Sequence, residues 1–152
     1  MTIIAVDPGK SGGIAIHHED QTVAHKMPDT LKAVAELVTL TPEIPTVAYV
    51  EHVPSFVPST RRKNMFRLGE NFGAIQGVLA ACGVRTILVR PAKWQAFYNL
   101  GKRSQCKSDS EWKNKLKAEA QRRFPKLNVT LATADALLLL DYAMSQELSP
   151  KR

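Results

Sequence analysis

The chain has 152 residues, the size of one domain that can bury its own core, and its 21 Lys and Arg against 14 Asp and Glu give a net charge of +7. That balance favours a polyanionic partner such as nucleic acid. The two cysteines, Cys82 and Cys106, have no CxxC or Cys/His spacing, so the pattern supports neither a zinc site nor a disulfide framework and fits a reducing cytoplasm. No basic and apolar signal precedes the first strand, and the longest wholly apolar run, Ala136 to Leu140, is far too short to span a bilayer, so the expectation is a soluble protein with no membrane partner.

β-branched runs come first and helical periods later. Ile3 to Val6, Gly12 to His17 and Thr22 to Met27 read as three strands joined by the turns "DPGKSGG" and "HHEDQ", at hairpin length. Asp29 is expected to cap a helix from Thr30 to Leu40, where Leu31, Val34, Ala35 and Val38 recur at helical spacing. "TVAYVE" is a fourth strand; following a helix, it should lie parallel to the first. A helix from about Met65 to Cys82, ended by Gly83, leads to a fifth strand, "TILV". Pro91 starts a short helix, "PAKWQAFYNL", and "GKRSQCK" reads as an exposed basic loop. "SDSE" at 108 to 111 has the form of a capping box for a helix reaching Phe124, and a last helix runs from about Thr133 to Ser145. The order predicts one α/β domain over residues 1–152, a five-stranded mixed sheet flanked by helices.

Two adjacent strands of that sheet would end in acids. Asp7 closes the first and Glu51 the fourth, so parallel neighbours would carry both carboxylates to the same edge. Asp135, in "TADALLLL", opens a helix so apolar that it must pack on the sheet. Singly, each acid has a plain structural explanation: a turn residue before Pro8-Gly9, a solvated strand end, a charge on a helix dipole. Together they form a cluster that repels itself unless a divalent cation sits within it, and hard oxygen donors suit Mg²⁺ or Mn²⁺.

With those residues in view, the chain resembles the RuvC-like Holliday junction resolvases of the RNase H-like superfamily. "IAVDPGKSGGIA" resembles their first strand and turn, "YVEHV" their second acidic strand, "LGENFGAIQGVL" their glycine-marked helix, "VRPAKWQ" the element after the fifth strand, and "ADALLLLDYA" their acidic last helix. The resemblance covers nearly the whole chain. It implies an RNase H-like fold, a symmetric homodimer, and metal-dependent nicking of opposed strands of a four-way DNA junction, leaving ends that a ligase can seal. By position, Asp7, Glu51 and Asp135 match the family's catalytic, metal-binding acids, with two Mg²⁺ ions (or Mn²⁺) per active site. One position departs: where the family has a further acid or a histidine, three residues before Asp135, this chain has Ala132. Asp141 is no replacement, because six residues of helix rotate it about 240° from Asp135.

Other residues are candidates for holding DNA. The segment after Glu51 carries Phe56, Arg61, Arg62, Lys63 and Arg67, a basic loop with an aromatic that would wedge at the junction centre, and Phe66 is a second such aromatic. Lys102, Arg103 and Lys107 form a second basic source. In the helix from Met65, Leu68, Phe72, Ile75, Leu79 and Cys82 should face the sheet, while Gly69, Gly73, Gly77 and Ala81 form a stripe that implies close approach, either to a neighbouring element or to the same helix of a second subunit. A kinase-like nucleotide-binding protein would need a second lobe that 152 residues do not supply. A nuclease for flaps, forks or RNA hybrids would use the same acids, and a binding-only junction protein would follow from Ala132.

Overall fold

A computed structural model of the chain describes residues 1–39, 46–54 and 62–148. β1 (Thr2–Val6), β2 (Gly13–His18) and β3 (Gln21–Lys26) form an antiparallel meander. α1 (Leu31–Val38) precedes β4 (Thr46–Glu51), and α2 (Arg62–Ala81) precedes β5 (Arg85–Val89). α3 (Pro91–Ala96), α4 (Asp109–Arg123) and α5 (Ala134–Glu147) complete the chain. The sheet order is β3-β2-β1-β4-β5, with β1–β4 and β4–β5 parallel. This is the predicted five-stranded mixed sheet, with its first and fourth strands adjacent.

The period of two along each strand divides the core into two layers. Ile3, Ala5, Val47 and Tyr49 face α3, α4 and α5 and pack with Trp94, Leu116 and Leu137. Ile4, Val6, Ala48 and Val50 face the opposite way, toward α1 and α2, and pack with Val34, Ile75 and Leu79. Both faces of β1 and β4 are therefore dry, which is why their sequences are unbroken apolar runs. α5 is the most enclosed helix, with all of Ala136 to Leu140 buried.

Several element ends differ from the sequence expectation. Thr30, not Asp29, caps α1: its Oγ1 accepts from the Ala33 N–H at 3.2 Å, and Asp29 stands one residue too early to reach that donor. Ser108 caps α4 as expected, accepting from the Glu111 N–H at 3.2 Å. α3 stops at Ala96 instead of Leu100, because Asn99 and Gly101 adopt the left-handed region at φ 56° and 81°. Within "GKRSQCK", Arg103–Gln105 form a single 3₁₀ turn. α2 begins at Arg62, three residues before the expected start, so Arg62, Lys63 and Arg67 lie on a helix and not in a loop.

The glycine stripe on α2 is also revised. Ile75 and Leu79 are buried and Leu68, Phe72 and Cys82 half-buried, as the helical period predicts. A Cβ built on Gly69, Gly73 or Gly77, however, meets nothing within 4 Å among the described residues. Among the described residues, close packing on a neighbour therefore does not account for these glycines. No helix among the described residues is long and apolar enough to cross a membrane.

Candidate active site

β1 and β4 run in register, Val6 opposite Val50, so the next residue of each strand, Asp7 and Glu51, leaves the sheet at the same edge. Asp7 has the parity of Ile3 and Ala5, and Glu51 that of Val47 and Tyr49, so both side chains turn to the face that α5 covers. Asp135 sits in the first turn of α5 at that face.

Two glycines bring these elements together. A Cβ on Gly12 would lie 2.6 Å from the Asp7 carboxyl carbon, so only glycine lets the turn fold over that side chain. A Cβ on Gly13 would lie 2.6 Å from the Ala132 carbonyl oxygen, so glycine there admits the backbone leading into α5. The turn is further fixed by the Asp7 N–H donating to the Gly13 carbonyl at 3.0 Å and by the Gly9 N–H donating to Asp7 Oδ1 at 3.1 Å. Behind it, the Asn71 side-chain amide on α2 donates to the Pro8 carbonyl.

The three acids hold their protons unusually tightly. Burial raises Asp7 above the ordinary carboxylate range, against the opposing pull of the Gly9 N–H and the Lys113 ammonium. Glu51 is pushed up to about 8, first by burial and then by the charges of Asp7 and Asp135. Burial and then Asp7 push Asp135 to about 7, with Lys113 opposing. Repulsion from neighbouring acids is thus part of the cause at Glu51 and at Asp135, while burial alone raises Asp7. Glu51 is also pinned: the Trp94 indole N–H donates to its Oε2 at 2.9 Å.

A cleft of about 200 Å³ opens over this edge, lined by Asp7, Ser11, Gly12, Lys113, Leu131 and Asp135. Among the described residues no three His, Cys, Asp or Glu side chains converge as a ready-made metal cage. The donor chemistry still fits Mg²⁺ or Mn²⁺: two carboxylates in the cleft lining, Asp7 and Asp135, with Glu51 near enough to feel their charge, no sulfur or imidazole, and one basic side chain, Lys113, exposed to solvent. An ion bound here would have to draw the carboxylates inward and displace their protons.

The DNA-holding candidates are dispersed. Arg62, Lys63 and Arg67 are exposed on the first turns of α2, and Phe66 is 68% exposed, which removes it from the core. Arg67 lines a groove of about 470 Å³ with Lys10, Leu31 and Asn71. Phe56 and Arg61 lie outside the described residues. Lys102 and Lys107 are exposed, but Arg103 is engaged in an ion pair with Asp109 at 2.6 Å.

Two residues of the site escaped the sequence reading. Trp94 lay in the quoted "VRPAKWQ", yet nothing in that string says that its indole reaches Glu51. Lys113 was one of many lysines on the polar faces of α4, and helical periodicity does not tell which of them overlooks an acid.

No protein-family model and no curated protein matches the chain. Solved structures do. The chain is similar to RuvC of T. thermophilus in complex with a Holliday junction substrate, with a TM-score of 0.66 and 14% identity over 98% of this chain and 97% of that one. It is also similar to a further structure of Thermus thermophilus RuvC, with a TM-score of 0.56 and 13% identity over 97% and 96% of the two chains. Over nearly its whole length the chain has the RuvC-like form of the RNase H-like fold.

Proposed function

We propose that the protein is a structure-selective endodeoxyribonuclease that resolves four-way DNA junctions by paired, metal-dependent nicks. The observation that carries this reading is that Asp7, Glu51 and Asp135 stand at one end of the sheet within electrostatic reach of one another, each with raised proton affinity, in a fold shared with RuvC solved on a Holliday junction.

Asp7, Glu51 and Asp135 would hold divalent ions, Mg²⁺ or Mn²⁺, in a two-ion site. Ions held there would supply the activation of a water and the stabilisation of charge on the leaving 3′ oxygen. Asp7, whose charge acts on both of the other acids, would be the shared ligand. Lys113, at the cleft mouth, offsets negative charge and would meet the incoming phosphate. Arg62, Lys63 and Arg67 extend that positive field along α2, with Lys10 and Arg67 lining the adjoining groove. Two symmetric nicks require two active sites, and the open stripe of Gly69, Gly73 and Gly77 supports a homodimer formed through α2.

The test is a synthetic four-way junction incubated with and without Mg²⁺, beside flap, fork and RNA–DNA hybrid substrates. Paired nicks at symmetric positions of the junction alone, sealable by ligase, are expected. Cutting of flaps, forks or hybrids in preference would assign the same acids to a different nuclease. Ala132 supports a second reading, a protein that binds junctions without cutting them; tight junction binding with no cleavage at any Mg²⁺ or Mn²⁺ concentration would establish it.

A further inference from the structure

β5 ends at Val89, the register partner of Glu51, and α3 begins two residues later at Pro91. One helical turn in, Trp94 is brought beneath Glu51 on the face shared with α5. Its side chain is fully buried, one of the largest in the core, and stands edge-on to Tyr98 with ring centroids 6.3 Å apart. An indole has one donor and no acceptor, and this one is directed at Glu51 Oε2 at 2.9 Å. A donor so enclosed cannot follow a carboxylate that swings away. Were Glu51 to turn, the indole N–H would be buried without a partner.

We propose that Trp94 is a positioning residue that restricts Glu51 to binding a divalent ion through one oxygen, Oε1, and so makes the site discriminate Mg²⁺ from Ca²⁺. The proposal rests on the metal-dependent reading above and specifies how one of its ligands behaves. Chelation by both oxygens requires the carboxylate to rotate until its bisector points at the ion. The hydrogen bond to Oε2 opposes that rotation. Mg²⁺ demands near-ideal octahedral geometry with short bonds from single oxygens, whereas Ca²⁺ accepts bidentate carboxylates and more ligands. A carboxylate locked with one oxygen free therefore serves the smaller ion.

The experiment compares the parent protein, Trp94→Phe and Asp7→Asn by calorimetric titration with Mg²⁺ and with Ca²⁺, in the absence of DNA. Phenylalanine keeps an aromatic ring in the core and removes the donor. The ratio of Ca²⁺ to Mg²⁺ affinity is expected to rise about tenfold in Trp94→Phe, the scale on which partners of metal ligands act. A folded Trp94→Phe with the parent's ratio, while Asp7→Asn has lost binding, overturns the proposal and leaves the metal site standing. A parent that binds neither ion overturns both. Loss of packing alone would lower the melting temperature without moving the ratio. Should Trp94→Phe fail to fold, the parent decides the matter through the Trp94 indole proton in a nuclear magnetic resonance titration with Mg²⁺, Trp112 serving as reference. A Trp94 resonance that stays at its hydrogen-bonded, downfield position at saturation supports the proposal; one that moves upfield shows that Oε2 has left the indole and overturns it.

Discussion

Asp135 and Asp141 stand six residues apart on α5, and their surroundings are opposite. Asp141 accepts from Arg123 at 2.7 Å and from the Tyr98 hydroxyl at 3.1 Å. The same guanidinium donates to Glu119 at 2.8 Å and lies 4.6 Å from the centroid of the Tyr98 ring. Every charge in that group is answered within the chain, and Arg122 and Arg123 hold Glu119 down at about 2. Asp135 makes no ion pair among the described residues, and burial and Asp7 hold it up at about 7. A carboxylate that is fully paired is finished as structure, while one that is crowded by its own kind retains its capacity for a ligand.

The largest way to break this contrast is to neutralise the central acid. Asp7→Asn should abolish junction cleavage while leaving thermal stability unchanged or higher, since one member of a repelling group is removed. Added Mg²⁺ should stabilise the parent and barely affect this variant. A variant that cuts as fast as the parent would falsify the metal-site reading.

The two groups should also respond to pH with opposite sign. In the unfolded chain Glu and Asp ionise near 4.5 and 3.8, whereas folded Glu51 and Asp135 keep their protons to about 8 and about 7. Their contribution to stability is therefore whole below about pH 4 and is lost as pH rises through about 8. Glu119 acts in reverse: its contribution is whole above 4.5 and is lost as pH falls toward 2. Melts in EDTA should show the parent's midpoint falling from about pH 5 to about pH 9, less steeply in Glu51→Gln, and recovering when Mg²⁺ is added. Identical slopes in the two proteins would remove Glu51 from the cluster.

A smaller effect is expected from Arg123→Met, which leaves Asp141 without its cation while Glu119 keeps Arg122. It should cost about 2–3 kcal/mol, below the range for a fully buried pair because these side chains retain some solvent contact. Cleavage per folded molecule should be unaffected, measured at a temperature where both proteins are folded. Ala132→Asp sharpens the contrast from the other side by adding an acid to the unanswered group. It should lower the Mg²⁺ or Mn²⁺ concentration needed for half-maximal cleavage about tenfold. No change in that concentration would show that position 132 does not reach the ions.

The acids were legible in the sequence because each sits at an element end that the pattern of apolar residues already locates. Asp7 and Glu51 close unbroken apolar strands, and parallel pairing of those strands follows from the helix between them. The rotation of Asp141 away from the site was likewise a matter of helical arithmetic, and its partners Arg123 and Tyr98 agree with it. What the sequence withheld depends on distances between elements. The Trp94–Glu51 and Lys113–Asp135 relations join side chains whose separation is set by tertiary packing, which no local period encodes. The glycine stripe left two readings open for the same reason: the loss of three side chains on α2 signals close approach, but whether a neighbour is there is a property of the assembled layers. Arg62, Lys63 and Arg67 were read as loop because the prolines at 54 and 58 suggest irregular chain, whereas α2 already includes Arg62.

The bare stripe on α2 also governs how the domain opens locally. Each interior glycine weakens a helix by about 1 kcal/mol relative to alanine, and the only buried residues of α2, Ile75 and Leu79, are in its C-terminal half. The first turns, from Arg62 to about Gly69, thus have little apolar surface to hold them, whereas α5 is sealed along its length. Amide hydrogen exchange should follow a gradient along α2, fast at its basic end and slow beyond Ile75, with α5 slowest of all. Between those extremes Asn71 is bonded to the Pro8 carbonyl, one residue from Asp7. That contact is the limit of the fraying: the basic end of the helix can melt and re-form against a partner while the turn that carries Asp7 stays shut.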